Sequence, residues 1–577
     1  MKYPKISELR TSREMLDVFR GYRHALRIGD GEFYEMENLS SDRFPILAPR
    51  AKRGVYASPG MAQGMIAKDA LCYVDGGDFV MGDARVPMGL TADAEPKTLI
   101  SMGAYVIIMP DKKYINTAAL SDFGEIEAVR RTSAEITFSL CGADGANYEN
   151  VIARDTAPTE PENLCFWLDT SSEPRVLRRY SASTDTWTAV QSSFIKIHSP
   201  GIGLPFAEGD GVFISGVQDA SLSFLNGAAN VTARTDDDLV VEGILDGVIT
   251  QSAEYPITVE RKMPDMDFII ESENRLWGCH YGGGVNEIYA SKLGDFRNWN
   301  CFTGISTDSY AASVGTDGAF TGAITHLGYP LFFKEGCVHK IYGNIPSNFQ
   351  IQTTSLRGVQ KGCARSLAIV GEILYYKSRS GVCAYDGSLP LEISDALGEE
   401  AYKDAAAGAL GNKYYISMAD SAGDHHLFVY DTLRDMWHRE DGTQAVSFCA
   451  HGGELYYIDY ATGQILTVRG TGVCPEEPIR WSATTGILGT DSPDKKYISR
   501  LDVRMRLDVG ASVSFYAEYD SGGEYEYLFT MTGKNLQSFS VPVRPRRCDH
   551  LRLRIVGRGD AKIFSICKTL EWGGDRG

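Results

Sequence analysis

The sequence has 577 residues, 43% hydrophobic and 23% charged, which is the composition of a soluble globular protein with more than one domain. No apolar run approaches the ~20 residues of a membrane-spanning helix, and the first residues lack a secretory signal, so we expect synthesis in a cytoplasm. The net charge of −18 argues against a protein that binds nucleic-acid phosphates tightly, because such binding needs clustered Lys and Arg.

Helical patterns are confined to two short stretches. Residues 11–19 form a possible capping box with Glu14 and predict a helix within an N-terminal helical segment, 1–21. Residues 394–402 predict a second short helix. The rest reads as short strands separated by Gly, Asp and Asn turns, which is typical of all-β proteins.

Strand pairs of one form recur along the chain. In residues 22–133 they are 70–81 and 104–115, and in residues 263–474 they include 275–291, 331–342, 374–385, 413–431 and 455–466. The later pairs start ~40 residues apart, the spacing of four-stranded propeller blades. We therefore predict a β-propeller of six or seven blades, with first blades in 22–133 and remaining blades in 263–474.

Two regions lack this ~40-residue repeat of strand pairs. Residues 134–262 contain a Pro-rich loop at 157–161 and short alternating strands with Asn-Gly and Asp-Gly turns, which predict a small β-domain inserted in a blade loop. Residues 475–577 alternate strongly, as in 499–507, 512–519 and 550–556. Period-2 alternation of this length predicts a C-terminal β-sandwich.

The 12 cysteines are scattered singly, and none forms a C-x-x-C pair. We expect reduced thiols packed as small apolar groups, and neither a zinc nor a redox site. No phosphate-binding loop, H-E-x-x-H or G-x-S-x-G motif occurs, and Gly282–Gly284 predicts a plain turn.

Carboxylate pairs deserve a test because some propellers are glycosidases, which need two acids. The candidates are Asp265 with Asp267, Glu271 with Glu273, and the run from Asp236 to Asp238. For all three sets we favour turn caps and solvated strand edges. Residues 183–187 resemble the aspartate box of sialidase blades but lack its glycine.

Histidines and arginines offer two weaker candidates. His425 and His426 are adjacent, with His438 and His451 nearby in sequence, but a metal site needs at least three converging ligands. Residues 544–547, with Arg552 and Arg554, form a basic cluster that is either a solvated sandwich face or a contact for an acidic partner. We predict no catalytic, cofactor-binding or metal-binding residue, and no cofactor.

Four stretches of the chain resemble virion proteins of Firmicutes phages and prophages. These stretches are 21–39 with 44–50, 264–268 with 274–279, 316–335, and 545–551. The architecture is similar to that of podovirus tail nozzle proteins. The resemblance implies a non-enzymatic protein of the virion tail that forms a homo-oligomeric ring, most often a hexamer, beside portal and adaptor proteins. DNA would pass through the ring without sequence-specific binding.

Two alternatives remain open. The chain could be a carbohydrate-binding or depolymerising tail protein, with an aromatic cleft and paired acids near Trp167, Trp187 or the sandwich. It could also be a collar or hub component of another tail type with the same fold.

Overall fold

The computed structural model describes residues 10–93, 95–471, 474–489, 495–533, 535–543 and 546–572. The all-β prediction is confirmed, since 52% of the chain is strand and 3% is helical. Five short 3₁₀ helices occur in the described ranges, at Ser41–Arg43, Ala220–Leu225, Pro346–Asn348, Ala364–Ser366 and Asp395–Leu397. None of the described helices is long and apolar enough to cross a membrane.

The N-terminal part supplies six strands. They are β1 (Arg10–Leu16), β2 (Gly21–Tyr22), β3 (Glu32–Glu37), β4 (Leu39–Ser40), β5 (Ala48–Pro49) and β6 (Gly54–Ala57). The helix predicted over residues 11–19 is wrong. β1 pairs antiparallel with a C-terminal strand, from Arg10 opposite Trp572 to Leu16 opposite Ile566. A ladder to a distant strand outweighs the weak helix preference of one short segment.

The second predicted helix, over residues 394–402, is shorter than expected. It is reduced to the 3₁₀ turn at Asp395–Leu397, and Gly398 follows with a φ of 84°. That left-handed conformation, which glycine adopts without a Cβ clash, ends the turn.

Two four-stranded blades follow the N-terminal strands. Blade 1 is β7 (Ala62–Ala67), β8 (Leu71–Asp75), β9 (Asp78–Met81) and β10 (Ala84–Pro87). Blade 2 is β11 (Thr98–Met102), β12 (Tyr105–Met109), β13 (Lys113–Asn116) and β14 (Phe123–Glu125). In both blades, strands that follow one another in sequence are hydrogen-bonded neighbours.

The inserted β-domain consists of twelve strands. They are β15 (Ala128–Arg131), β16 (Ile136–Cys141), β17 (Val151–Arg154), β18 (Phe166–Asp169), β19 (Val176–Ser181), β20 (Thr186–Ala189), β21 (Phe194–His198), β22 (Gly211–Ser215), β23 (Gly227–Arg234), β24 (Asp238–Glu242), β25 (Val248–Gln251) and β26 (Thr258–Arg261). Eight of them form one sheet in the order β15-β26-β22-β23-β24-β21-β16-β25. Ala128 and Ile249, on the two terminal strands, pack against the same apolar core, so the sheet curls around it. The other four, β17–β20, form a separate sheet inserted between β16 and β21.

Five further blades follow the insert. Blade 3 is β27 (Phe268–Ser272), β28 (Arg275–Gly282), β29 (Val285–Ala290) and β30 (Tyr310–Ser313), and blade 4 is β31 (Gly322–His326), β32 (Tyr329–Lys334), β33 (Cys337–Tyr342) and β34 (Gln350–Ser355). Blade 5 is β35 (Ala368–Val370), β36 (Ile373–Lys377), β37 (Val382–Tyr385) and β38 (Leu391–Glu392), and blade 6 is β39 (Lys403–Leu410), β40 (Lys413–Ala419), β41 (His425–Asp431) and β42 (Met436–Arg439). Blade 7 begins with β43 (Ala445–His451), β44 (Glu454–Asp459) and β45 (Ile465–Thr467). Blade 7 receives its fourth strand from the N-terminal part, because β6 pairs with β45. The β-propeller prediction is confirmed, with seven blades in the described ranges.

A shared two-residue turn explains the repeat seen in the sequence. Val370 pairs with Ile373, Leu410 with Lys413, and His451 with Glu454, so each first strand meets its second across two residues. Glycines with φ near +60° occupy these turns at 371, 411 and 452. This left-handed conformation matches the twist of a tight hairpin.

The second strand of a blade is buried on both faces. Tyr376, Tyr414 and Tyr457 are each at most 1% exposed. Side chains of neighbouring blades form common apolar cores, such as the one shared by Leu427 in blade 6 and Leu455 in blade 7. Burial on both sides accounts for the continuous apolar runs of these strands.

The C-terminal strands form the sandwich, with help from the N-terminal part. The first C-terminal strand, β46 (Cys474–Pro475), pairs with β6 and belongs to the blade 7 sheet. The sandwich strands are β47 (Arg480–Thr485), β48 (Lys496–Leu507), β49 (Ser512–Tyr519), β50 (Glu526–Thr532), β51 (Gln537–Val541), β52 (Leu551–Arg558) and β53 (Ala561–Trp572). One sheet has the order β1-β53-β48-β51, and the other contains β3-β47-β52-β49-β50. The sandwich prediction is confirmed, although strands β1 and β3 come from the N-terminal part.

The second sandwich sheet continues into the propeller. Its complete order is β39-β40-β41-β42-β2-β3-β47-β52-β49-β50, so β2 and β3 join blade 6 to the sandwich in one ten-stranded sheet. Tyr22 of β2 pairs with Trp437 of β42.

The chain divides into two compact units. One comprises Met1–Thr98, Phe333–Val338 and Thr354–Gly577, and the other comprises Leu99–Phe332 and His339–Thr353. Blades 1, 5, 6 and 7 and the sandwich belong to the first unit, and blades 2 and 3 and the inserted domain belong to the second. No disulfide joins the eleven cysteines whose side chains the structure describes.

Candidate functional site

The carboxylates near the start of blade 3 make structural contacts. Asp265, whose side chain is 85% exposed, lies 3.1 Å from the Lys112 ammonium nitrogen. Asp267 Oδ2 accepts the Tyr281 backbone N–H at 2.8 Å. Two carboxylates held in this way act as an exposed ion pair and a turn cap.

The other carboxylate pairs lie in turns. Glu271 Oε1 accepts the Asn274 N–H at 2.9 Å, and Glu273 has a φ of 52° in the same two-residue turn. In the run from Asp236 to Asp238, Asp237 Oδ1 accepts the Gly201 N–H at 2.6 Å. The turn at Gly283–Gly284 likewise joins β28 to β29, as predicted.

The histidines do not converge on one site. His426 Nε2 lies 2.8 Å from Asp420 Oδ2, and its Nδ1 lies 3.1 Å from an Arg439 nitrogen. His438 is 5% exposed in blade 6, and burial lowers its pKa to about 3. Among the described residues, no group of three or more His, Cys, Asp and Glu side chains could hold a metal ion.

The tryptophans of the inserted four-stranded sheet pack against each other. Trp167 is 8% exposed, donates its Nε1–H to the Arg154 carbonyl at 3.0 Å, and meets Trp187 edge to face at 5.5 Å. Trp187 lies in the segment that resembles an aspartate box, and its ring also contacts Tyr180. These ring contacts stabilise the sheet together with its buried Leu168 and Leu177.

The basic cluster of the sandwich stacks on tyrosines. Arg552 lies 4.5 Å from the ring centre of Tyr34, and Arg554 lies 5.5 Å from that of Tyr525. Arg544 and Pro545 lie outside the described residues. Both arginines are half-buried, and each lies over a tyrosine ring.

A cleft at one end of blades 1, 6 and 7 was not predicted. We call it the propeller-face cleft, and its volume is about 370 Å³. Its polar and aromatic lining comprises Gln63, Arg365, Asp404, His425, Gln444, Asp459 and Tyr460. Arg365 lies in the 3₁₀ helix before blade 5, and the other residues lie at or next to the starts of first and third strands and the ends of second strands. Antiparallel neighbours bring those positions to the same end of each blade.

The backbone is irregular where the cleft meets blade 6. Asp404 has a φ of 49°, and the pairing of β39 with β40 shifts register between Lys403 and Ala406. Bulges of this kind re-aim side chains and occur often beside functional sites. Asp404 is exposed at the cleft as a result.

The chemistry of the propeller-face cleft suits a polar ligand. Burial lowers the pKa of His425 and outweighs the attraction of Asp404, so the imidazole is neutral at pH 7. Tyr460 is 66% exposed at the rim. Carboxylate, amide and neutral imidazole groups beside an exposed ring can hydrogen-bond and stack on a sugar.

Sequence reasoning missed this cleft because its residues are far apart in the chain. Gln63 comes from blade 1, Asp404 from blade 6 and Tyr460 from the end of a blade 7 strand. None belongs to a local motif. The sequence signal that they share is a polar residue at or next to the end of a predicted strand.

No protein-family model matches the chain, and no curated protein matches it. Among solved structures it is similar to an exo-β-1,3-galactanase from Phanerochaete chrysosporium, with 8% identity, 51% of this chain and 94% of that chain covered, and a TM-score of 0.19. It is also similar to the WD40 domain of Toxoplasma gondii coronin, with 9% identity, coverage of 75% and 86%, and a TM-score of 0.22. A third is Trypanosoma rangeli sialidase, with 8% identity, coverage of 92% and 96%, and a TM-score of 0.18. Scores this low support no argument about function, and the propeller follows instead from the order of strands in the sheets.

Proposed function

We propose that this chain is a non-enzymatic structural protein of a bacteriophage tail. In this role it forms a homo-oligomeric ring, a nozzle or conduit through which the genome leaves, and contacts portal, adaptor and other tail proteins. The four stretches that resemble phage virion proteins lie in the N-terminal part, blades 3 and 4, and the sandwich.

One structural observation carries the proposal. The ten-stranded sheet joins blade 6 to the sandwich through β2 and β3 without a flexible linker. Hydrogen-bonded strands resist bending far better than a loop does, so blade 6 and the sandwich move as one body. A component that transmits force within a virion needs such a connection.

The composition is compatible with passage of DNA. A net charge of −18 disfavours adhesion of nucleic acid to the protein surface. We propose that the surface facing the conduit is acidic. A ring whose lumen is lined with Lys and Arg would refute this part.

The experiment is to measure the mass and shape of the purified full-length chain by light scattering and negative-stain electron microscopy. We expect rings with a central hole and a mass that is an integral multiple of 63.3 kDa. A chain that stays monomeric at every concentration, both alone and with portal and adaptor proteins from the same phage, contradicts the proposal. A neighbouring tape-measure gene instead would favour the collar or hub of another tail type.

The propeller-face cleft favours a second candidate function, binding of host-surface carbohydrate. Tyr460 and Asp404 provide a stacking ring and a hydrogen-bond acceptor there. We expect Tyr460→Ala to abolish binding on a host-polysaccharide array, whereas Tyr255→Ala, at an exposed tyrosine of the inserted domain, leaves it unchanged. Absence of binding by the unmodified chain would remove this candidate.

A further inference from the structure

A second cleft lies between the N-terminal strands, blade 7 and the sandwich, all within the first unit. Its volume is about 510 Å³, within the range of small-molecule sites. We call it the basic cleft, and its charged lining comprises Asp42, Arg43, Arg50, Lys52, Arg469, Asp560 and Lys562. Five cationic side chains and two carboxylates give the lining a net charge of +3, in a chain whose net charge is −18.

Both carboxylates of the basic cleft already have cationic partners. Asp42 Oδ1 lies 2.7 Å from the Lys413 ammonium, and Asp560 Oδ2 lies 3.3 Å from that of Lys562. Burial would raise the pKa of Asp42, but Lys413 outweighs it and the pKa lies below its usual value, so the ion pair persists at neutral pH. Arg50 also has an anionic partner, because its Nη1 lies 2.6 Å from Glu476 Oε1.

Three cations of the basic cleft make no close ion pair in the described ranges, where no carboxylate oxygen lies within 4.0 Å of the side-chain nitrogens of Arg43, Lys52 or Arg469. Arg469 is attracted by Asp42 from a longer distance and helps to lower the pKa of that carboxyl. All three side chains are exposed at the cleft. Like charges gathered in one concavity repel one another, and an anion bound between them relieves that repulsion.

Hydrogen bonds hold the backbone that presents Arg43 and Arg469. Ser40 Oγ accepts the Asp42 N–H at 3.2 Å and a Lys413 N–H at 2.9 Å, which holds the turn that presents Arg43. In blade 7, the backbone N–H of Arg469 donates to Glu454 Oε1 at 2.9 Å, which holds the segment that presents Arg469. A site already held in shape loses little conformational entropy when a ligand binds.

We propose that the basic cleft is a binding site for a small multivalent oxyanion, held by Arg43, Lys52 and Arg469. Guanidinium and ammonium groups bind phosphate and carboxylate oxygens by charge-assisted hydrogen bonds, so the shared chemistry is that of an anion with at least two negative charges. Ala48, Pro49 and Ile479 line the same cleft and provide an apolar wall for the body of such a ligand.

The test is isothermal titration calorimetry of the full chain with pyrophosphate and, separately, citrate, at low and high ionic strength. We expect binding by at least one of them that weakens as salt is added. A preference for pyrophosphate assigns the ligand to phosphate compounds, and a preference for citrate assigns it to polycarboxylates. Absence of heat from both at low ionic strength overturns the proposal.

Matched variants separate the cleft from the general charge of the protein. In Lys52→Gln/Arg469→Gln we expect affinity to fall by about tenfold or more, the loss expected for charge-assisted contacts. The control Arg27→Gln/Lys361→Gln removes two exposed cations elsewhere in the first unit and leaves affinity unchanged. Unchanged thermal unfolding without ligand shows that both variants are folded. The proposal is overturned if the two double variants lose affinity equally, or if neither of them loses affinity.

Discussion

At the residue scale, the buried histidine of blade 6 makes stability depend on pH. His438 has a pKa of about 3 in the folded chain, because burial disfavours its charged form, against an ordinary value near 6.5. Between these values the unfolded chain binds a proton that the folded chain does not. Stability is therefore highest above pH 6.5 and falls as the pH drops toward 3.

We predict that replacing His438 with Gln reduces this pH dependence. Between pH 7.5 and 5.0 the histidine accounts for a loss of about 2 kcal/mol in the free energy of unfolding, and the variant lacks that part of the loss. Urea denaturation at both pH values measures it. His451→Gln, at a histidine that is not buried, serves as the control and keeps the full loss. Equal pH dependence in wild type and His438→Gln would contradict the assignment.

A buried ion pair between the N-terminal part and blade 6 gives a second prediction. Arg53 lies 2.7 Å from Glu440 and 2.8 Å from Asp441, and the side chains of Arg53 and Glu440 are at most 7% exposed. Arg53→Ala leaves Glu440 buried with a weaker partner, so we expect a loss of about 3 kcal/mol of stability.

The control for this prediction is an exposed arginine in blade 1. Arg85 pairs with Asp78 at 2.7 Å and also with Asp75, but its own side chain is 50% exposed. Arg85→Ala should change the unfolding temperature little, because exposed ion pairs contribute little. Equal effects of the two substitutions would show that the Arg53 network does not hold β6 in place.

At the scale of elements, one glycine permits the sandwich sheet to pack. Gly557 of β52 pairs directly with Trp481 of β47, and a Cβ placed there would lie 2.0 Å from the indole ring. Trp481 is 2% exposed and its Nε1–H is bound to the Gly559 carbonyl at 3.1 Å, so the ring has no free space.

We predict that Gly557→Ala destabilises the protein by about 2–3 kcal/mol or more, as overpacking does. Gly336→Ala is the matched control, because its Cβ would meet nothing within 4 Å. Thermal unfolding of the two variants distinguishes them. A Gly557→Ala variant as stable as the control would mean that β47 and β52 separate locally at little cost.

The elements that the sequence predicts well are those specified locally. Apolar strands of four to eight residues joined by two-residue glycine turns predict the blades, because both signals lie within about 12 residues of each other. The alternation in residues 499–507 predicts the sandwich strand β48 for the same reason.

The elements that sequence reasoning missed depend on distant partners. The segment containing Met15 and Leu16 has spacing that suits a helix, and it is a strand because β53, more than 500 residues later, pairs with it. For the same reason, neither cleft can be predicted from the sequence. Arg43 and Arg469 are brought together by the closure of blade 7, about which local sequence says nothing.

At the scale of the whole molecule, the N-terminal strands make the C-terminal sandwich inseparable from the rest. β3 pairs with β47, and β1 pairs with β53. Removal of residues 475–577 therefore leaves both N-terminal strands without these partners. Phe33 and Met36 of β3, at most 1% exposed in the intact chain, would become exposed.

We therefore predict that a chain ending at residue 474 is insoluble or unfolds without a cooperative transition. Replacing residues 142–193 by Asn-Gly is the control, because Cys141 pairs with Phe194 and a two-residue turn can join β16 to β21 directly. That variant should remain soluble and fold, since it removes only the β17–β20 sheet. Circular dichroism and thermal unfolding compare the two. A soluble, cooperatively folding 1–474 chain would contradict the prediction.

The completion of blade 7 by β6 also sets an order of events during synthesis on the ribosome. Gly54 and its partner Thr467 are 413 residues apart, so at about 5–20 residues per second β6 waits about 20–80 s for its ladder. During that time its backbone donors and acceptors form an open edge, which nascent chains and chaperones can pair with. Blade 7 therefore closes only after residue 467 has been synthesised, and the yield of correctly folded protein depends on how well β6 is shielded until then.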